Sequence, residues 1–119
     1  MTVIRDRGLM VFGGTGPIKV ITGTSHTIRR DDEGSWLRFT SGSAVTLTVP
    51  DESVHGLLVG TVITINQAGA GLVTVVGNGV GSIVIETTNT YAAAGQYSVM
   101  MLAYVASNTW VFTGDRATS

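Results

Sequence analysis

The chain has 119 residues, a length that suits one domain, with a formal net charge of -1 and only 13% charged residues. Globular proteins average about 25% charged residues. The near-neutral balance gives no electrostatic case for binding nucleic acid or anionic lipid. Cysteine is absent, which excludes disulfides and thiolate metal sites. No apolar run approaches the length of about 18 residues needed for a membrane helix, and no signal peptide is evident. We therefore predict no cofactor, no bound metal, no nucleic-acid partner and no membrane association.

Ionised side chains are almost missing from the second half of the chain. Between Ser53 and Gly114, Glu86 is the only Asp, Glu, Lys or Arg. A free monomer normally covers its outer faces with charge, whereas the buried parts of oligomer interfaces are depleted of it. We therefore predict an obligate homo-oligomer. The alternative is a monomer with a Thr- and Ser-rich β surface.

Residues 1–17 are predicted to form an extended N-terminal arm. Its charges are solvated, its short apolar run cannot be buried within so short a segment, and the run 13–17, Gly-Gly-Thr-Gly-Pro, is a flexible breaker. Docking onto a neighbouring subunit or another protein would bury the apolar run. The predicted docking residues are Arg5, Arg7, Leu9, Met10 and Phe12.

Residues 18–115 are predicted to form one β domain, followed by a flexible tail over 116–119. Its centre has two β-branched runs, Val62 to Asn66 and Leu72 to Val76, around a small-residue turn from Ala68 to Gly71. β-Branched residues favour strands, and a short connection with two glycines is typical of a hairpin. Turn signals recur about every 8–12 residues along the domain. We predict an all-β fold, an antiparallel β-sandwich or barrel of about nine short strands, assembled as a homotrimer.

The turn-and-strand order of the domain resembles that of a known class of proteins. The order runs Gly60-Thr61-Val62-Ile63-Thr64-Ile65-Asn66-Gln67-Ala68-Gly69, then a Val-Thr-Val strand, then Gly95-Gln96-Tyr97-Ser98 and Asn108-Thr109-Trp110-Val111. Over roughly Thr24 to Asp115 it resembles the small β modules in structural proteins of tailed bacteriophages. These modules are found in tail appendages and on virion surfaces.

The resemblance implies a non-enzymatic, often trimeric, component of the phage particle. A chain that begins at Met1 with its own arm favours a stand-alone capsid decoration (cement) protein. The alternative is a tail-fibre or tail-tip module that binds a host receptor or glycan. The expected partners are other copies of the chain and the major capsid protein or tail proteins. The expected location is the virion surface, after synthesis in the host cytoplasm.

The charge-poor β segments supply the predicted oligomer interface. Aromatic side chains on strands are typical interface anchors. Two glutamines next to glycines at strand ends are predicted to satisfy buried backbone groups across the interface. The predicted interface residues are Ile63, Ile65, Gln67, Val73, Val75, Gln96, Tyr97, Met100 and Trp110.

The acidic run 31–33 and the two histidines could be read as metal-binding or catalytic groups. Asp31, Asp32 and Glu33 offer the oxygen ligands that Ca²⁺ prefers, but adjacent carboxylates beside arginines are more often a solvated turn, and cation binding stays open. His26 and His55 belong to no metal or catalytic motif, which favours surface or hydrogen-bonded roles.

Catalysis has little support in the sequence, and we predict no enzyme. Glycoside hydrolysis needs two carboxyl groups about 5–10 Å apart, and Glu86 with Asp51 or Asp115 is the candidate pair. The glycine-rich run 13–19 lacks the Gly-Lys-Ser/Thr ending of a phosphate loop. Aromatic residues that would suit a sugar-stacking surface are interpreted first as core and interface anchors: Trp36, Tyr91, Tyr97, Tyr104 and Trp110.

Overall fold

The structure, a computed structural model, describes residues 16–78, 83–87 and 90–117. Strands β1 to β9 span Ile18–Ile21, Ser25–Thr27, Trp36–Phe39, Val45–Val49, Val62–Gln67, Val73–Gly77, Val84–Glu86, Val99–Ala106 and Thr109–Gly114. The connections contain a 3-10 helix, Arg30–Asp32, and a one-turn α-helix, α1 (Glu52–His55). In the described ranges, no helix is long and apolar enough to cross a membrane.

The first six strands form three stacked coils. Each coil gives one strand to a six-stranded sheet, ordered β1-β3-β5-β8-β9-β7, and one to a three-stranded sheet, ordered β2-β4-β6. Successive coils pair in parallel, so that Ile18, Trp36 and Thr64 lie in register. The hairpin of β8 and β9 then joins β5 in antiparallel pairing. This architecture is a short β-solenoid closed by a hairpin.

The all-β fold and the number of strands are confirmed, but the predicted antiparallel sandwich or barrel is wrong. Five of the seven strand pairs are parallel. The predicted central hairpin is wrong too, because β5 and β6 lie in different sheets. The segment 68–72 turns a corner of the solenoid. A corner and a hairpin both join β-branched runs through small residues, so the two are alike in sequence.

Two glycines let this corner lie directly on the corner of the coil before it. The backbone N–H of Gly69 donates to the carbonyl of Phe39, and that of Gly71 donates to the carbonyl of Ser41, both at 2.9 Å. A Cβ on Gly69 would overlap the Ser41 carbonyl, and one on Gly71 would overlap the Ser43 carbonyl. Glycine is therefore required by backbone contact between coils.

The core lies between the two sheets and consists of the inward-pointing residues of each strand. Leu37, Leu47, Ile63, Ile65 and Leu102 are fully buried. The hairpin extends this core with an aromatic group in which the rings of Tyr104 and Trp110 stack with centroids 4.9 Å apart. The apolar inward face thus continues from the parallel coils into the antiparallel hairpin.

The described residues of the predicted arm and of the predicted tail are hydrogen-bonded to the β domain. Residues 1–15 of the predicted arm lie outside the described residues, and the carbonyl of Pro17 accepts from the N–H of Trp36 at 2.9 Å. In the predicted tail, the N–H of Ala117 donates to Ala92 at 2.9 Å. Ala92 forms an antiparallel bridge to Thr74 of β6. The tail as far as Ala117 is therefore attached to the segment that covers the edge of the three-stranded sheet.

We predict that Gly71→Ala destabilises the fold by about 1–3 kcal/mol, because the new methyl group forces backbone away from backbone at the stacked corner. Gly42→Ala is the matched control, since a Cβ at Gly42 meets no atom within 4 Å. Urea unfolding followed by circular dichroism measures both free energies of unfolding. Equal values for the two variants would contradict the role of the stacked corner.

Candidate interaction surface

Seven of the nine residues predicted for the oligomer interface lie in the core of the single chain. Strand alternation points their side chains at the other sheet, so a partner cannot contact them, and that part of the prediction is wrong. The residues, each at most 1% exposed, are Ile63, Ile65, Gln67, Val73, Val75, Met100 and Trp110. The other two, Gln96 and Tyr97, are exposed.

The two glutamines satisfy backbone groups within the chain. The side-chain oxygen of Gln67 accepts from the N–H of Val73 at 3.0 Å, and its amide nitrogen donates to the carbonyl of Gly69 at 3.3 Å. The amide of Gln96 donates to the carbonyl of Ala68 at 3.1 Å. Their predicted bonding to backbone is present, but at the corner between β5 and β6 and not across an interface.

The predicted docking residues Arg5, Arg7, Leu9, Met10 and Phe12 lie outside the described residues. Their role stays a prediction.

The six-stranded sheet has a second apolar face, which points away from the core. We call it the outer face, and it consists of the residues that alternate with the core residues on β1, β3, β5, β8, β9 and β7. Ile18 and Val20 on β1 are 65% and 59% exposed. The other apolar side chains of this face are Trp36, Val62, Val84, Val99, Met101, Ala103, Val105 and Val111, and its uncharged polar residues are Thr64, Asn66, Thr109 and Thr113. Contiguous apolar surface of this kind is typical of an interaction site.

The corresponding face of the three-stranded sheet is hydroxylated. Ser25, Thr46 and Thr74 stand in register across its three strands, and Thr27 is beside Thr48 in the next row. Hydroxyl groups remain hydrated without charge, so this face can stay in contact with water. The two sheets therefore give different explanations for the shortage of charge. The outward residues of the three-stranded sheet carry hydroxyls except for Val76, whereas the six-stranded sheet presents apolar side chains that include the exposed Ile18, Val20, Val62 and Val84.

A polar network holds one corner of the outer face in a fixed arrangement. The side-chain oxygen of Asn66 accepts from the Arg38 guanidinium at 2.9 Å and from the Trp36 indole at 3.4 Å. The amide nitrogen of Asn66 donates to the carbonyl of Ser98 at 3.1 Å. Asn66 is nearly fully buried beneath these groups. A tryptophan and an arginine are thus positioned side by side, and these are the residue types most enriched at binding hot spots.

Tyr97 has an uncommon backbone conformation next to this network. Its φ is 72°, in the left-handed region that non-glycine residues rarely adopt, and its side chain is 72% exposed. Its N–H donates to the carbonyl of Gln67. A bulky residue kept in this conformation at the surface is typical of functional sites, where backbone strain is retained for a purpose.

The acidic run predicted as a possible cation site forms ion pairs instead. Asp32 is fully buried at the first coil, where its carboxylate accepts from the Lys19 amine at 3.0 Å and is 2.9 Å from Nε2 of His26. The neighbouring Asp31 pairs with Arg29 at 2.9 Å. Within the described ranges, no group of three or more His, Cys, Asp or Glu is arranged to hold a metal ion. Lys19 and His26 point inward, so this cluster closes the first coil with polar groups.

The environment of Asp32 favours its ionised form. Burial alone raises the pKa of a carboxyl group, but the hydrogen bonds from His26, Lys19 and the N–H of Arg29 outweigh it. The pKa of Asp32 is therefore lowered from its ordinary value of 3.8.

A second polar network fastens α1 to the hairpin of β8 and β9. The Tyr104 hydroxyl donates to Glu52 at 2.6 Å, and the Ser107 hydroxyl donates to the other carboxylate oxygen of Glu52 at 2.8 Å. The amide of Asn108 donates to Asp51 at 2.8 Å. The hydrogen bond from Tyr104 lowers the pKa of Glu52, while burial and the same bond raise the pKa of Tyr104.

His55 is buried against this network and its lone pair is occupied. Nδ1 accepts from the N–H of Leu57 at 2.9 Å, so the proton of the neutral ring resides on Nε2. The ring packs edge-on against Tyr104 and Trp110, with centroids 5.0 and 5.5 Å away. Burial lowers the pKa of His55 and keeps the ring neutral. A general base needs an available lone pair, and the Nδ1 lone pair of His55 is already used.

The carboxyl groups considered for glycoside hydrolysis belong to separate elements. Asp51 caps the N-terminus of α1, Glu86 is on the outer face at β7, and Asp115 follows β9 and accepts from the N–H of Val99 at 3.4 Å. Two surface depressions of about 300 and 310 Å³ are lined mainly by β6 and β7 and by β7 and β9. The first has no carboxyl group in its lining, and the second has Glu86 alone.

No protein-family model matches the chain, and no curated protein matches it either. The geometry of the outer face therefore provides the main basis for a functional proposal.

The alternation of residues along β5 indicates the outer face, although the interface residues were predicted without it. Val62 is apolar on one side of its strand while Ile63 and Ile65 are apolar on the other. One side of such a strand must face the core and the other must face something else. Assigning the β5 residues by parity places Ile63 and Ile65 inside and Val62 on the outer face, as the structure has them.

We predict that Asp32→Asn lowers the free energy of unfolding at pH 7 by about 2–3 kcal/mol, because it removes charge-assisted hydrogen bonds from a buried site. A lowered pKa in the folded state stabilises the protein above the unfolded pKa, near 3.8. That stability is lost as the pH falls through the folded value. The wild type should therefore lose more stability than the variant on acidification below about pH 4.

Glu33→Gln is the control, because Glu33 is the exposed carboxylate of the same run. Chemical unfolding at several pH values between 2 and 7 measures the three proteins. Parallel pH profiles for the wild type and Asp32→Asn would contradict the role of Asp32.

Proposed function

We propose that the protein is a non-enzymatic structural component of a tailed-phage virion, in the manner of a capsid decoration protein. Copies would associate through the outer face of the six-stranded sheet, and the N-terminal arm would dock onto the capsid or a neighbouring subunit. The resemblance in turn-and-strand order supports the phage context. The observation that carries the proposal is the apolar outer face, on which Ile18, Val20, Val62 and Val84 are exposed.

The arrangement of the fold suits a structural role. A solenoid closed by a hairpin is held by backbone pairing across its coils, while the Asp32 cluster fixes the first coil and the Glu52 network fixes α1. Such a body presents a sheet face with little conformational entropy to lose on association. Repeated attachment to a lattice multiplies weak contacts through effective concentration, so an arm of modest affinity is sufficient.

The proposed partners are other copies of the chain and the major capsid protein or a tail protein, on the virion surface. The homotrimer implied by the resemblance stays a prediction. Locating the protein in a particle reconstruction is the direct test: density for it on capsid facets or vertices supports the proposal, and its absence from purified particles would refute it.

A second function, binding of a host receptor or glycan as part of a tail fibre or tail tip, is favoured by Tyr97. Its ring is 72% exposed at a backbone position with positive φ, and sugar rings stack on exposed aromatic faces. Glycan-array binding that is lost in Tyr97→Ala but kept in Tyr91→Ala would favour this function. Labelling at the tail and not at the capsid would agree with it.

We predict that deleting residues 1–16 leaves a folded oligomer that no longer binds phage particles, because the arm supplies the docking contacts and the β body supplies self-association. Co-sedimentation with particles measures binding, and light scattering measures the oligomer. A full-length variant with Leu9, Met10 and Phe12 changed to serine separates the apolar contacts from chain length. Particle binding by the truncated protein would refute the role of the arm.

A further inference from the structure

Two opposite charges on the outer face have no oppositely charged partner among the described residues. Arg38 projects from β3, and its guanidinium donates to Asn66 but pairs with no carboxylate in the described part of the chain. Glu86 projects from β7, and among the described residues it makes no hydrogen bond or ion pair. Arg116 lines the same depression as Glu86 but donates to the hydroxyl of Thr87. Every other residue of the outer face is uncharged.

The strand register places these charges at opposite corners of the sheet. Arg38 is in register with Asn66 on β5, which is in register with Val99 on β8. Glu86 is in register with Val111 on β9, which is in register with Ala103 on β8. The charges are separated by four strand spacings and by four residues along β8. With strands about 4.8 Å apart and a rise of about 3.3 Å per residue, the separation is about 23 Å.

Met101 marks the midpoint between the two charges. β8 is the strand halfway between β3 and β7 in the sheet order. Along β8, Met101 lies halfway between Val99 and Ala103. A twofold axis over Met101, parallel to the sheet and at right angles to the line between the charges, exchanges the positions of Arg38 and Glu86.

We propose that the outer face binds the outer face of a second copy about this twofold axis. Arg38 of each copy then lies opposite Glu86 of the other, and the two Met101 side chains meet at the centre. An interface between identical patches must be self-complementary in this way. The proposal rests on the self-association proposed above and specifies its geometry. It does not depend on the location in a virion.

The size of the face agrees with a dimer of this kind. Six strands about 4.8 Å apart span about 29 Å, and an average length of about five residues gives roughly 17 Å in the other direction. The footprint is therefore about 500 Å² per copy and about 1,000 Å² in total, at the lower bound of a specific interface. A flat face that meets its own copy gives a twofold contact, whereas a ring of three needs two different patches on each subunit.

Charge exchange tests the register of the dimer. Arg38→Glu and Glu86→Arg should each raise the dissociation constant of the dimer about tenfold, because both symmetry-related pairs become repulsive. The double variant R38E/E86R should return to within about threefold of the wild type, because both pairs are again attractive. An equimolar mixture of the two single variants should form mixed dimers with near wild-type affinity, since each pair then joins opposite charges.

Sedimentation velocity over a concentration series measures these constants, and thermal unfolding verifies that each variant is folded. Thr46→Glu is the matched control, because it adds a charge to the exposed face of the three-stranded sheet and should leave the constant unchanged. No rescue in the double variant or in the mixture would overturn the proposed register. A wild-type protein that remains monomeric at high concentration would overturn self-association itself.

A crosslink tests the position of the axis. The chain has no cysteine, so Met101→Cys introduces a single thiol at the proposed centre. Facing sheets are about 10 Å apart, beyond the Cα separation of up to about 6.8 Å that a disulfide spans, so a short bismaleimide is the suitable reagent. We expect covalent dimers from Met101→Cys and none from Thr46→Cys. Equal yields from the two variants would overturn the proposed axis.

Discussion

The fold depends on direct backbone contact between one coil and the next. At the corner of the third coil, Gly69 and Gly71 lie against the carbonyls of the corner below, and their N–H groups donate to it. At this corner β5 and β6 continue the parallel register of β3 and β4, and a side chain at either glycine would push the third coil away from the second. Once the corners stack, every inward-pointing residue stacks on its counterpart. The core between the sheets follows from that repetition.

A stack of coils has two ends, and each must be closed against water and against further stacking. The two ends of this stack are closed by different kinds of side chain. At the first coil, Lys19 and His26 point inward at the buried carboxylate of Asp32 and replace apolar core with paired charge. At the third coil, the six-stranded sheet changes from parallel to antiparallel pairing at β8. Ala92 and Ala93 cover the edge of β6 in the smaller sheet. The ionic cluster adds polarity at the first end, and the hairpin adds hydrophobic core at the other.

The strands could be predicted from the sequence, but their pairing could not. β-Branched runs such as Val62 to Asn66 indicate extended chain wherever they pair. The run 68–72 satisfies the turn chemistry of a hairpin and of a solenoid corner equally, and only the coil beneath it decides between them. The buried ion pair of Asp32 escaped prediction for a related reason. Its partners Lys19 and His26 are 13 and 6 positions away in sequence and meet it only because the chain folds back around the first coil.

The position of the apolar outer face could not be predicted from the shortage of charge. The shortage of charge indicates surfaces hidden from water, yet apolar content alone does not say which side of a strand faces the core. Parity along the strand separates the two sides. On β5, Ile63 and Ile65 belong to the core and Val62 to the outer face, whereas on β4 the outward positions are Thr46 and Thr48. An uncharged stretch therefore marks an interaction surface only where its outward positions are apolar as well. In this chain most outward positions of the six-stranded sheet are apolar, whereas those of the three-stranded sheet are hydroxyl residues apart from Val76.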